Sequence, residues 1–314
     1  MKLKPKMLAA KKMLRRRFHG GVNPGPECAV ILDLLRYTMK ENPIPAFMEL
    51  PGFQSLQNTK IKRPPLDEFQ GYGRAHWFKR YGSEMKFCVE LEPREPYLAP
   101  YSVSLFADDN TGLLPEEVLA LRELMPGAKL TLAEVAIDFV LAGKVNRAFV
   151  RRHGVFGKSR RDISNRNPQV DRWGTKKSGK CIKSYEKFGN AAYRVEARMR
   201  RRFMEPAGIV DVYDFPKFGD LLPGHHILFA QIDESKLIRE LWRTRTATET
   251  VQIVKQVFAL KGGLTEQLAY LRQHAGLKNT RRLLRPHRIN RSIWDAFNAW
   301  GAQWPTKPVR LGKK

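Results

Sequence analysis

The stretch Arg172–Arg202, RWGTKKSGKCIKSYEKFGNAAYRVEARMRRR, constrains the fold more than any other part of the chain. It predicts a β-hairpin, with Cys181–Lys187 as one strand and Tyr193–Met199 as the return. Phe188–Asn190 forms the turn between them, where a Gly and an Asn take positive φ readily. Side chains alternate along a strand, so Lys183, Tyr185 and Lys187 share one face. On the return strand Arg194, Glu196, Arg198 and Arg200 share a face, and Tyr193, Val195, Ala197 and Met199 take the other. A tyrosine between two lysines, beside a strand of arginines with a single glutamate, suits chemistry on a phosphodiester. The pattern leaves one alternative open, a surface hairpin with solvated charges and a packing tyrosine.

Charge narrows the choice of partner. The chain of 314 residues holds 57 Lys+Arg against 31 Asp+Glu, a net charge of +26. So much like charge repels itself unless a polyanion neutralises it, which makes nucleic acid the first partner to consider and an anionic membrane surface the second. No apolar run approaches the roughly 20 residues of a spanning helix, and no amphipathic helix dominates, so no membrane role is expected. The length fits one large domain or two ordinary ones, with ample core. Residues 1–20 carry many cations and no acid, which predicts a short basic helix, an arm lying on phosphates, or a mobile charged tail, and not a signal peptide. Cys28, Cys88 and Cys181 show no CxxC spacing, which argues against a disulfide scaffold or a zinc site and fits a reducing cytoplasm.

Two further strands carry acids. Cys28–Met39, CAVILDLLRYTM, is an apolar β-type run interrupted by Asp33, and a carboxylate there must be paired, hydrogen-bonded or metal-bound. Lys129–Val140, KLTLAEVAIDFV, places Glu134, Ala136 and Asp138 on one face, and the small residue between the acids leaves room for a hard divalent cation. Pairing with nearby arginines on a solvated face is the other reading. Tyr72–Phe78, Met85–Leu91 and Tyr101–Phe106 read as strands of an antiparallel sheet, and Glu116–Leu124 and Asn146–Arg152 as helices. Glu41–Pro65, Gly154–Asp171 and Asp211–Pro223 read as loop or irregular chain. Helices follow at Asp233–Arg243, packing Leu237, Ile238, Leu241 and Trp242, then at Thr248–Leu260, Thr265–His274 and Arg291–Trp300. The texture changes near residue 206, mixed α/β before it and helical after it, which divides the chain into an arm (1–20), a sheet-bearing unit (21–205) and a helical region (206–314). Around Gly276 and Lys278–Arg291 the pattern allows either a helix-turn-helix-like reader or a helical cap on the sheet.

Taken in order, ILDLLRYTM, EVAIDF, WGTKKSGK, YEK and RVEARMRRR resemble the motifs of the rolling-circle replication initiators of Gram-positive plasmids and of related phage and mobile-element proteins. The resemblance spans roughly residues 28–203. It implies an α+β fold, an antiparallel sheet with flanking helices of the HUH/ferredoxin-like nuclease kind, with a helical C-terminal region. It also implies an endonuclease whose tyrosine attacks one phosphodiester at an origin, stays linked to the 5′-phosphate, leaves a 3′-OH primer and later rejoins ends. Residues 21–205 are then the catalytic unit and residues 206–314 an accessory region that helps bind DNA. By that resemblance Tyr185 is the nucleophile, flanked by Lys183 and Lys187, which favour the phenolate or hold the phosphate. Asp33, Glu134 and Asp138, with Glu196 and Glu186 as weaker candidates, fall where acids hold Mg²⁺ or Mn²⁺. Lys176, Lys177, Lys180, Arg194, Arg198 and Arg200 are the expected DNA contacts, and a host helicase, a polymerase and a second copy of the chain are implied partners, in a bacterial cytoplasm. Many relatives hold the metal with His-x-His, whereas this chain has only the adjacent pair His225–His226, and Ala133 stands where an Arg often precedes the acids. A non-catalytic DNA-binding protein and a relaxase of the same chemistry are the competing readings.

Overall fold

The computed structural model describes residues 28–56, 59–60, 71–81, 85–107, 112–140, 145–156, 160–162, 170–175, 179–187, 192–260 and 263–305. The expected basic arm, the turn Phe188–Asn190, Lys176 and Lys177 lie outside them. The strands in chain order are β1 (Cys28–Met39), β2 (Phe53–Ser55), β3 (Thr59–Lys60), β4 (Tyr72–Arg80), β5 (Lys86–Pro93), β6 (Tyr101–Phe106) and β7 (Lys129–Val140). They continue as β8 (Gly154–Val155), β9 (Arg160–Asp162), β10 (Asp171–Trp173), β11 (Lys180–Lys187), β12 (Ala192–Arg200), β13 (Leu228–Ile232) and β14 (Leu284–Pro286). Helices α1 (Ile44–Met48), α2 (Pro115–Glu123), α3 (Arg147–His153), α4 (Arg201–Met204) and α5 (Phe218–Leu221) lie between them. Helices α6 (Glu234–Leu241), α7 (Ala247–Ala259), α8 (Leu264–Gln273) and α9 (Ile289–Gly301) dominate the last third.

Eleven strands make one sheet in the order β2-β4-β5-β6-β1-β7-β12-β11-β10-β9, with β3 pairing β4. Every named pairing is antiparallel. The architecture is therefore α+β, as the alternating apolar pattern predicts. One face is apolar: Leu35, Val135, Ile137, Val195, Ala197 and Ile182 belong to the main core. Helix α9 packs on β1 from that side, where Cys28 Sγ also donates to the Ser292 carbonyl at 3.4 Å. The opposite face of the same strands carries the acids and most of the cations.

The hydrophobic core does not break at residue 206. Met204, Ile209, Phe215, Phe229, Ile293 and Trp300 share the sheet's core, while Ala230, Leu237, Leu241, Val257, Leu268 and Leu283 form a second, smaller cluster. A three-stranded sheet, β14-β13-β8, underlies that second cluster.

Several local expectations change. Glu41–Pro65 contains α1, β2 and β3, and Gly154–Asp171 contains β8 and β9 and the first residue of β10, because short edge strands need only a few ladder bonds and little periodicity. Asp211–Pro223 folds as a 3₁₀ turn over Val212–Lys217 followed by α5, started by a reciprocal cap between Asp211 and Asp214. Trp242, expected in the core, follows the last turn of α6 and is 62% exposed. Lys278–Arg291 contains a 3₁₀ turn (Thr280–Leu283) and β14 before α9 begins, and β14 pairs with β13. A 3₁₀ turn and a short strand thus stand where the second helix of a helix-turn-helix would fall.

Candidate active site

The site is built from the polar faces of four adjacent strands. The β11–β12 register sets Lys183 opposite Glu196 and Tyr185 opposite Arg194. The β12–β7 register then sets Arg194 opposite Asp138, Glu196 opposite Ala136, and Arg198 opposite Glu134. Residues directly opposite share a face, so the six charged residues and Tyr185 converge on one side of the sheet.

Asp33 joins them through a bulge. Leu32 pairs with Val135 and Leu34 with Glu134, which leaves Asp33 as the extra residue of β1. A bulge leaves one residue outside the ladder and bends the strand. On the far side the backbone is satisfied from another segment: Ala107 N–H donates to the Asp33 carbonyl at 2.9 Å and Leu113 N–H to that of Leu32 at 2.8 Å. Gly112, at φ 74°, permits this approach, since a Cβ there would collide with the Ile31 side chain.

The hydrogen bonds divide the cluster into two parts. Arg194, 1% exposed, donates to both oxygens of the buried Asp138 (Nε at 2.6 Å, Nη2 at 2.8 Å) and through Nη1 to Asp33 at 2.9 Å. Glu196 is shared between Lys183, which donates from Nζ to Oε1 at 2.6 Å, and the Tyr185 hydroxyl, which donates to Oε2 at 3.0 Å. Lys183 Nζ is also 3.8 Å from Glu134 Oε1, and Arg198 pairs with the same carboxylate. One carboxylate oxygen from each of Asp33, Glu134 and Glu196 lies within 4.8 Å of the other two.

The electrostatics follow from this crowding. Burial pushes the Asp33 carboxyl up, the Glu196 charge adds to that, and Arg194 and Lys187 only partly oppose it. Burial acts the same way on Glu196, but Lys183, Arg194 and the Tyr185 hydrogen bond more than offset it and hold the group below its ordinary value. Burial and then the Glu196 charge push the Tyr185 hydroxyl well above 10. Tyr185 is therefore a neutral phenol hydrogen-bonded to a carboxylate, which differs from the expected lysine-stabilised phenolate. Lys183 spends its charge on Glu196 and Glu134, and the charge of Lys187 acts on Asp33.

The expected site residues thus fall into three groups. Asp33, Glu134, Glu196, Lys183 and Tyr185 come together; Glu196, the weaker candidate from sequence, is the centre, and its cross-strand pairing with Lys183 is the signal that identifies it. Asp138 has both oxygens held by the buried Arg194 guanidinium and is not among the three acids whose oxygens converge. Of the expected DNA contacts, Arg194 and Arg198 are buried in ion pairs, and Lys180 lies on the core face. There its Nζ donates to the Phe156 carbonyl and to His226 Nδ1, each at 3.1 Å. Arg200 is exposed at the end of β12, and Glu186 is exposed opposite Tyr193. No histidine joins the acids among the described residues.

No protein-family model matches the chain, and no curated sequence is significantly similar to it. Among solved structures it is similar to a rolling circle replication initiator protein from Geobacillus stearothermophilus, at 15% identity and a TM-score of 0.44, covering 87% of this chain and 97% of that one. It is also similar to the TBP of Methanococcus jannaschii, at 8% identity and a TM-score of 0.24, covering 55% of this chain and 87% of that one. Both likenesses are distant, and the chemistry of the site rests on its own residues. Among the described residues no helix is long and apolar enough to cross a membrane.

Proposed function

We propose that the protein nicks and rejoins DNA through Tyr185 and initiates rolling-circle replication, the activity implied by the order of its sequence motifs. The observation that carries the chemistry is the Tyr185 hydroxyl donating to Glu196 inside a cluster of three converging carboxylates. A phenol with a raised pKa attacks only if its proton leaves during the step, and Glu196 is already the acceptor. The Tyr185 oxygen bonds to phosphorus as the bond from phosphorus to the 3′ oxygen breaks. The phenol proton passes to Glu196, the departing 3′ oxygen is protonated from water, and the 5′-phosphate remains on the tyrosine. Attack by a 3′-OH reverses the sequence and reseals the strand.

The donor set fits a hard divalent cation. Asp33, Glu134 and Glu196 offer only oxygen, and one oxygen from each lies within 4.8 Å of the other two. Mg²⁺ or Mn²⁺ held there would polarise the scissile phosphate and stabilise charge on its oxygens. Lys183 keeps Glu196 ionised, Arg194 fixes Asp33 from below, and the partly exposed Tyr185 faces solvent where a strand can reach it.

The test is incubation of labelled single-stranded oligonucleotides from the replicon's origin with Mn²⁺ or Mg²⁺, read on a denaturing gel. The expected result is cleavage with a covalent protein–DNA adduct, lost in Tyr185→Phe and in EDTA and retained in Tyr193→Phe. Tight binding with no adduct under either metal would replace this reading with that of a non-catalytic DNA-binding protein.

A further inference from the structure

A second charged surface lies in the C-terminal region. Lys278, Arg281, Arg282, Arg285, Arg288 and Arg291 are all exposed, with no acid among residues 278–291. Across from this run, Lys236, Arg239 and Arg243 recur along α6 and just beyond it at intervals of three and four, which places them on one side of the helix. Between α6 and the turn Thr280–Leu283 is a hollow of about 290 Å³, lined by Lys236, Arg239, Glu240, Arg243, Arg282 and Leu283.

Four cations and one acid, Glu240, line it, and Asp233 at the start of α6 pairs with Lys236 at 3.9 Å. The Glu240 side chain, 19% exposed, accepts from Arg243 at 3.3 Å and pairs with Arg282, so it fixes two guanidinium groups while the cluster keeps net positive charge. The Lys236, Arg243 and Arg282 side chains are 48%, 66% and 53% exposed. Like charges gathered around a concavity oppose folding, and exposed pairs of this kind return about 0–1 kcal/mol each. The elements that carry them are fixed by Leu237, Leu241 and Leu283 in the second core, so the cations are held in place. The lining carries no aromatic ring on which an unpaired base would stack.

We propose that this hollow and the adjoining basic run bind backbone phosphates of duplex DNA, at a second contact apart from the Tyr185 cluster. The inference rests on DNA as the partner but not on Tyr185 as the nucleophile. On the proposed function the Tyr185 face takes the strand that reacts, whereas the hollow holds neighbouring duplex without reading its sequence.

The experiment uses the full chain and a fluorescent duplex of arbitrary sequence, with the corresponding single strand alongside, titrated from about 50 to about 200 mM salt. In Lys236→Ala/Arg239→Ala/Arg282→Ala the slope of log K against log salt for the duplex should fall by roughly 2.7, about 0.9 for each lost contact. Single-strand affinity and oligonucleotide cleavage should stay unchanged. A charge-conserving variant, Lys236→Arg/Arg239→Lys/Arg282→Lys, should keep the wild-type slope and so separates charge from misfolding. An unchanged duplex slope in the alanine variant, or equal losses on duplex and single strand, would overturn the proposal. Absence of cleavage in every variant would count against Tyr185 chemistry alone, because the salt slope is read without it.

Discussion

The two faces of the β11–β12 hairpin carry matched residues with opposite fates. Each has a tyrosine and a lysine. On the core face Tyr193 and Ser184 share a hydrogen bond of 2.9 Å, and Lys180 is held by a carbonyl and an uncharged imidazole. On the other face Tyr185 and Lys183 both donate to Glu196, and two more carboxylates lie within reach. The core face pairs each polar group with a neutral partner and closes over it. The open face matches four carboxylates, Asp33, Glu134, Asp138 and Glu196, with four cations, Lys183, Lys187, Arg194 and Arg198, and lets one oxygen from each of three acids converge. Under the proposed function the second arrangement is the reactive one, since a buried hydroxyl bonded to a hydroxyl has neither a base nor a route to substrate.

The largest expected effect separates the two tyrosines. Tyr185→Phe should reduce oligonucleotide cleavage and adduct formation below detection, at a stability cost no smaller than that of Tyr193→Phe, because each loses one hydrogen bond. Tyr193→Phe should keep full cleavage, with stability lower by about 1 kcal/mol for the lost hydrogen bond. Adduct formation that survives in Tyr185→Phe and fails in Tyr193→Phe would invert the comparison.

Next in size is Glu196→Gln, which keeps the shape and removes the base. Single-turnover cleavage should fall by about 10²–10⁴-fold, the usual worth of a positioned base. A rate within a few-fold of wild type at saturating Mn²⁺ would reduce Glu196 to a partner of Lys183.

Much of this was legible in the sequence because period-two alternation fixes faces. The strands Cys28–Met39 and Lys129–Val140 and the hairpin needed only that rule, and so did the grouping of Lys183 with Tyr185. Pairing between strands was not legible, because register depends on which edges meet and where bulges fall. Alternation alone therefore offers Asp138 as a metal ligand and leaves Glu196 peripheral, whereas the register sets Arg194 opposite the first and Lys183 opposite the second. Lys180 misled for a different reason: a lysine in a basic stretch reads as exposed, and only the tertiary fold supplies the Phe156 carbonyl and His226 that bury it.

Arg194→Met tests whether the open face is also a structural unit. Removing the guanidinium leaves Asp138 buried without its bidentate partner, a loss of about 3–5 kcal/mol for a broken buried pair. Urea unfolding should show that loss, and Arg194→Met/Asp138→Leu should recover a good part of it, because two apolar groups leave no stranded charge. Recovery of stability without recovery of cleavage would assign Arg194 to positioning Asp33 as well as to folding. No recovery at all would mean that Asp33, the other partner of Arg194, dominates the cost.

The smallest effect belongs to the core face and depends on pH. Burial, with the charges of Lys180 and His225, pulls the His226 imidazole down from 6.5 to about 4. It must stay neutral to accept from Lys180. Between those values the unfolded chain binds the proton that the folded chain refuses, so stability rises with pH across that window and is lost on acidification through it. His226→Gln keeps an acceptor for Lys180 and does not titrate. Its urea midpoint should therefore vary less between about pH 7 and about pH 4.5 than that of the wild type. Identical profiles would mean that Lys180 is not held by a neutral imidazole, and the contrast between a charge-matched open face and a neutral-partnered core face would lose its second lysine.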